Sequence, residues 1–471
     1  MKFFFLCFFL NFFVAFFSLP CFAQEKKQET LSFSFLLERG ELRYPDVKKK
    51  IHELTNAQAQ EKDVFYRRLP DLNLNFNFNY FPYVYKQDRG DGTAYYFDEI
   101  FSKPWSPFIN PSLSISVPIY TFGKIYHGEK AAKAQVEMKK AEVEEAIGSV
   151  RYNIKKLYWS FLYTQSLIKY VLDITLPQYE DLLQDQEKSF KEGKVTRASF
   201  EKNNISYYDL KKNQAEVQYN FAEVADWIRL LGDLPDAALV QVEHDRLFPL
   251  NLKIETYEYY LNLFKNYDPA LKKGRFAYEA RTQYYQYQKA NFYPDIFFAG
   301  SINFLYHRFS DEADPRPDYG VKETIFGATG VSFGLVFGLK WNLSLWKGFN
   351  QQKIYKSAYL SDLEQLKMAE TFQESEFKKA YENLIRKEKI LKATQEQFKA
   401  ARRWTIFAMN AHKAKTGSLD DAQNGVITLF HRKKDYYTAI YEFNLALAQF
   451  EQKLGLELVN YAALPLGELD E

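Results

Sequence analysis

Cysteine is almost missing from this chain, with only Cys7 and Cys21 among 471 residues. Both fall in residues 1–23, which read as a secretory signal peptide. Lys2 precedes an apolar run from Phe3 to Phe17, and Cys21-Phe22-Ala23 forms a small-residue exit. Pro20, directly before Cys21, argues against a lipid anchor there. A mature chain without thiols has no disulfide and no cysteine metal site. An excess of one charge is missing too, since 62 Lys and Arg stand against 60 Asp and Glu. That balance gives no electrostatic footing for nucleic acid. Beyond the signal there is no run of 18 apolar residues, so no helical membrane span is expected.

Catalytic patterns are absent as well. His52, His127, His244, His307, His412 and His431 are scattered without ligand spacing. Gly327, Gly330, Gly334 and Gly338 lack the Gly-Lys-Ser/Thr ending of a phosphate loop. Arg89-Gly90-Asp91 reads as part of a plain acidic turn. No nucleophile–base set or paired carboxylates stand out, so neither an enzyme nor a cofactor or metal is expected.

What is present is alternation. From Asp71 to Tyr80, Leu72, Leu74, Phe76, Phe78 and Tyr80 interleave with Asn73, Asn75, Asn77 and Asn79. A period of two is a strand with one apolar face. Asn is depleted in strands of soluble sheets, and it fits a face lining water opposite a face in lipid. The return strand sets Leu113, Ile115, Val117 and Ile119 against Ser112, Ser114 and Ser116. Two later stretches alternate likewise, at about 294–305 and 330–345, the last with Lys340 and Asn342 on its polar side. Each is long enough to cross a bilayer when tilted. The 35 Tyr and 43 Phe suit aromatic belts at a membrane boundary.

After Gly123 the pattern turns helical and stays so as far as Gly193. A helix of that length spans roughly 105 Å, with Pro177 expected to kink or interrupt it. Five markers recur in order: Pro45 and Pro269, Pro70 and Pro294, Gly123 and Gly348, Gly193 and Gly417, Gly232 and Gly455. The two members of each pair are separated by the same stretch of chain, to within one position either way. The chain therefore reads as a tandem-duplicated helix–strand–strand–helix–helix unit. The first repeat is 24–240, with strands near 69–81 and 111–120 and a turn near 193. The second is 241–471, with a turn near 417. The class is an α+β membrane protein. Four strands cannot close a barrel, and open edges are not tolerated in lipid, so copies must assemble. Three copies give 12 strands and two give 8; the sequence leaves both open.

This order of elements resembles the outer membrane efflux protein family, the TolC-like channels. The likeness rests on the duplication, on Leu69-Pro70-Asp71-Leu72 entering the first strand and Pro118 to Gly123 leaving the second. It rests also on the turns Glu192-Gly193-Lys194 and Thr416-Gly417-Ser418. The resemblance implies a homotrimer with a 12-stranded barrel in outer-membrane lipid, continuous with a long periplasmic α-helical barrel. It implies that Gly193, Lys194, Gly417 and Ser418 form tips where a periplasmic adaptor protein docks. An inner-membrane RND or ABC transporter would supply energy and selectivity. Family members carry acidic residues beyond the second tip glycine, where Gln423 and Val426 stand here. The candidate constriction is therefore Asp420 and Asp421, with Lys194 and Arg197 as cross-partners. The expected role is an exit duct for efflux or type I secretion. The alternative is an envelope-spanning structural or adhesive protein without a conducting lumen.

Overall fold

The computed structural model describes residues 31–82, 105–234, 240–307, 330–341 and 343–461. The signal segment, the Arg-Gly-Asp turn and Asn342 lie outside them. Two helices, α1 (Phe33–Arg43) and α2 (Pro45–Tyr66), lead into the antiparallel strands β1 (Asp71–Pro82) and β2 (Trp105–Tyr120). Tyr44, held extended by the proline that follows, separates the helices, and Pro45 takes the first helical position. Then come α3 (Lys124–Tyr170), a π-helical turn (Val171–Thr175), α4 (Leu176–Lys191) and α5 (Arg197–Gly232).

The same order follows: α6 (Tyr257–Tyr267), α7 (Pro269–Ala290), β3 (Asp295–His307), β4 (Gly330–Lys340), α8 (Leu345–Lys413) and α9 (Leu419–Leu454). Helices α1 and α6 have 11 residues each, α2 and α7 have 22, and α5 and α9 have 36. No described helix is long and apolar enough to cross a membrane.

Pro177 acts where the sequence placed it. It cannot donate to the carbonyl four residues back and its ring crowds that carbonyl, so α3 loosens into the π turn just before it. Within that turn Thr175 Oγ1 donates to the Tyr170 carbonyl at 3.2 Å. The series after the second strand pair has no such proline and continues as one 69-residue helix.

The sheet has the order β1-β2-β3-β4, all antiparallel. Its register stacks polar with polar: Asn73, Ser114, Ser301 and Gly334 form one rung, Asn75, Ser112, Asn303 and Ser332 the next. Ser116, Asn77 and Lys340 fall on the same face by alternation, and Asn79 lies opposite Phe108 in the backbone register. Leu74, Leu113, Ile302 and Phe333 make an apolar rung on the other face. Two boundaries differ from expectation. β2 starts at Trp105 rather than 111, because Ser106 to Asn110 still pair with β1. β4 stops at Lys340 rather than 345: the alternation runs on, but Leu345 already opens α8. Gly348 lies inside that helix, donating to the Ser344 carbonyl at 2.9 Å, so it is no counterpart of the left-handed Gly123. At the sheet–helix joint Lys124 donates to both carboxylate oxygens of Asp295, at 2.7 and 2.8 Å.

Two cores hold the helices. The larger gathers Phe33, Tyr158, Trp159, Phe264, Phe377 and Phe450; the smaller, toward the turns, gathers Tyr170, Tyr179, Leu182, Leu210, Val426 and Phe430. Between α2 and α3, Lys50, Glu53, Lys139 and Glu142 close a ring of four ion pairs at 2.9 to 3.2 Å. Bonds from Lys139, and next from Lys50, hold the Glu53 carboxyl below its ordinary value. At Glu142 burial pushes upward, and the bonds from Lys50 and Lys139 outweigh it. Lowered carboxylates lend stability that is complete above the ordinary value of 4.5 and is lost as pH falls through the folded values. Glu53→Gln with Glu142→Gln is therefore expected to lose less thermal stability than the native chain between about pH 5 and about pH 3. Melting curves across that range check it; parallel losses in both proteins would refute the ring's contribution.

Candidate functional site: two helical turns and the amide cluster behind them

Both long helical stretches end in the same device. At the first, Gly193 takes a left-handed φ of 74°, its N–H donates to Phe190 O at 2.9 Å, and Lys194 N–H donates to Ser189 O at 2.9 Å. These two bonds satisfy carbonyls the helix leaves unpaired. Thr196 then caps α5, its Oγ1 accepting from Ser199 N–H at 3.2 Å.

At the second turn the left-handed residue is Lys415, φ 60°, not Gly417. Lys415 N–H donates to His412 O and Thr416 N–H to Ala411 O, both at 2.9 Å. Ser418 caps α9, accepting from Asp420 N–H at 3.2 Å. The expected pairing of Gly193 with Gly417 is thus corrected. Lys415 is the counterpart of Gly193, and the cap Ser418 stands as far along the chain from the cap Thr196 as Lys415 does from Gly193. Gly417 lies two residues further on, where its N–H also donates to Ala411 O at 3.0 Å and a Cβ would stand 2.7 Å from the Ala411 Cβ. A side chain in the left-handed region costs about 1 kcal/mol or more relative to glycine. Lys415→Gly is therefore expected to raise the melting temperature slightly, and Gly193→Ala to lower it. Two shifts of the same sign would contradict this geometry.

The expected charges sit apart from one another. Lys194 pairs with Glu192 at 2.6 Å and holds its carboxyl below the ordinary value, and Arg197 approaches Glu201 at 3.8 Å. Among the described residues neither pairs with Asp420 or Asp421. Asp420 instead accepts from Ser199 Oγ at 2.9 Å, which ties α9 to α5. Both aspartates lie in the first turn of α9, where the helix dipole favours negative charge.

The sequence reading missed what lies behind the turns. Gln186 on α4, Asn203 on α5 and Gln423 on α9 are all buried. Asn203 Nδ2 donates to Gln423 Oε1 at 2.5 Å. Gln423 Nε2 donates to Gln186 Oε1 at 3.1 Å and to Leu182 O at 3.4 Å. Gln186 Nε2 donates to Ser199 O at 3.3 Å. Burial pushes the Tyr179 phenol up to about 12, so it remains a donor, here to Asn203 O at 3.2 Å. Helices α4, α5 and α9 are joined here by a buried chain of hydrogen-bonded amides. The one signal for it was Gln423, neutral where family members carry an acid. Nearby, Thr405 Oγ1 donates to Gly425 O at 2.8 Å, and a Cβ on Gly425 would stand 3.3 Å from the Thr405 backbone, so glycine lets α8 and α9 close up. Among the described residues no three His, Cys, Asp or Glu side chains converge as a metal set.

A four-stranded sheet with polar and apolar faces is carried on long paired helices. The fold matches solved channels throughout. The outer-membrane channel OprN shares it with a TM-score of 0.71 and 14% identity, over 90% of this chain and 89% of the other. VceC from Vibrio cholerae gives 0.69 and 14%, over 90% and 96%. CmeC from Campylobacter jejuni gives 0.69 and 12%, over 91% and 87%. At such identities the likeness is one of fold. No curated protein matches the chain by sequence. Residues 36–230, from α1 to α5, match the family described as outer membrane efflux protein. The family match thus lies in the first half of the chain, and the likeness to solved outer-membrane channels extends over about nine-tenths of it.

Proposed function

We propose that three copies close a 12-stranded barrel in the outer membrane, and that the chain serves as a passive exit duct between an inner-membrane pump and the exterior. The observation carrying this is the sheet. Strands β1 and β4 are edges, with no described neighbour on their outer sides. Open edges in lipid leave backbone groups unpaired at several kcal/mol each. The smallest membrane barrels have about 8 strands; three copies of this one supply 12. The equal lengths of three helix pairs, α1 and α6, α2 and α7, α5 and α9, support a tandem duplication, which makes such a ring nearly sixfold.

The helices repeat the argument. Ile205, Tyr208, Tyr219, Trp227 and Leu230 form one exposed stripe along α5, an edge helix with no described element on its outer side. The Asn and Ser rungs with Lys340 would line the water-filled lumen. The apolar rungs would face lipid. The turns at Gly193-Lys194 and Lys415 to Ser418 would meet a periplasmic adaptor, with Asp420 and Asp421 at the narrow end. Mass in detergent corrected for bound detergent, followed by planar-bilayer recording, tests the reading. A trimer that conducts supports it. A folded single chain, or an assembly without conductance, overturns it.

A further inference from the structure

The buried face of α9 runs through Val426, Phe430, Ile440 and Leu447. Lys433 and Tyr437 fill the helical positions between Phe430 and Ile440. A lysine thus stands half-buried on an apolar stripe. Its ammonium lies 4.2 Å from the Phe398 ring centroid, 4.7 Å from that of Tyr437, and 6.0 Å from those of Tyr170 and Tyr436. Tyr170 belongs to α3, Phe398 to α8, and the other two rings to α9 itself. Burial pushes the Tyr170 phenol up to about 12, so that ring meets the cation uncharged.

Two other features coincide with this lysine. The larger and smaller cores part here, and Tyr437 packs against both. Tyr170 is the last residue of α3 before the π turn. Toward the helix ends the two hairpins are tied by directional bonds, from Ser199 to Asp420 and from Asn203 to Gln423. At Lys433 they are joined through ring faces instead.

We infer that Lys433 is a bearing between the two hairpins, about which α8 and α9 turn against the α3–α4 segment as that segment yields at the π turn. The joint's use in opening the narrow end rests on the exit-duct reading; the joint itself does not. An ammonium is attracted to any ring face within about 6 Å, so it can shift among four rings without leaving a fixed partner. A charge on a core stripe also gives up hydration when the seam closes, which favours local opening there. The rings offset part of that cost.

Hydrogen exchange followed by mass spectrometry on the full chain in detergent tests the joint. Lys433→Met keeps the length of the side chain and removes the charge, so opening gains no hydration. Exchange at residues 171–175 and 430–437 is then expected to slow several-fold. Phe398→Leu removes the nearest ring and keeps the charge, and exchange at the same residues is expected to rise several-fold. Slowing in the first variant with a rise in the second supports the joint. Every other pattern overturns it, two rises being what a lysine that merely packs would give. In planar bilayers Lys433→Met is expected to shorten open times and Phe398→Leu to lengthen them. A chain that makes no pore yet shows both exchange shifts overturns the duct and leaves the joint standing. A conducting chain without those shifts does the reverse.

Discussion

Lys155→Met is expected to lower the stability of the folded chain by about 3–5 kcal/mol, the range for removing one partner of a buried ion pair. Lys155 on α3 and Glu451 on α9 are 2.8 Å apart with side chains 3% and 2% exposed. Glu451 is also the anchor of the segment after α9: it accepts from Leu458 N–H at 2.8 Å, Val459 N–H at 3.1 Å and Tyr461 OH at 2.7 Å. Burial, and then the Glu451 carboxylate, push the Tyr461 phenol upward, so it stays a donor. The Lys155 ammonium also sits 3.9 Å from the Tyr461 ring centroid. Removing the lysine strands a carboxylate without its cation in a dry site. Adding Glu451→Gln to Lys155→Met should recover part of the loss, because the amide oxygen still accepts from Leu458 and Val459 N–H without a charge to bury, while the amide nitrogen takes the place that accepted from Tyr461 OH. Thermal unfolding, with proteolysis after Gly455 as a local readout, checks both. A double variant as unstable as the single one would refute this account.

The second expectation concerns conduction and rests on the exit-duct reading. Gln423→Ala leaves the Asn203 Nδ2 donor and the Gln186 Oε1 acceptor buried without each other's bridge. Stranding such groups costs about 1–3 kcal/mol. If that cost falls on the closed arrangement of the helix ends, a change of about 2 kcal/mol shifts the closed-to-open ratio roughly 30-fold. Bilayer recordings of the variant should show more open time or higher conductance, at unchanged helix content. Recordings identical to the native protein's would show that the amide cluster has no part in gating.

Much of this protein is legible in its chain because the signals are local. A period of two over Leu72 to Tyr80 can only be a strand, and Pro45, Pro177 and Pro269 act through their own ring geometry on the residues beside them. The polar rungs follow in the same way, since register in a two-faced sheet is set by matching faces. The candidate site was less legible. Within the chain Asp420 accepts from Ser199, a choice made by how two helix starts lie against each other.

By itself, then, the sequence determined the strands, the helix breaks, the recurrence of the series and the two-faced character of the sheet. Each of these depends on residues within a few positions, or on the same local pattern met twice. The tertiary structure alone decided the end of β4 at Lys340, where alternation continues but pairing stops. It alone put a lysine rather than a glycine in the left-handed position of the second turn. It alone brought Gln186 and Asn203 to Gln423, and Lys155 to Glu451, each pair drawn from opposite halves of the chain. A polar side chain's partner across such distances is chosen by which helices pack together, and no local pattern carries that information.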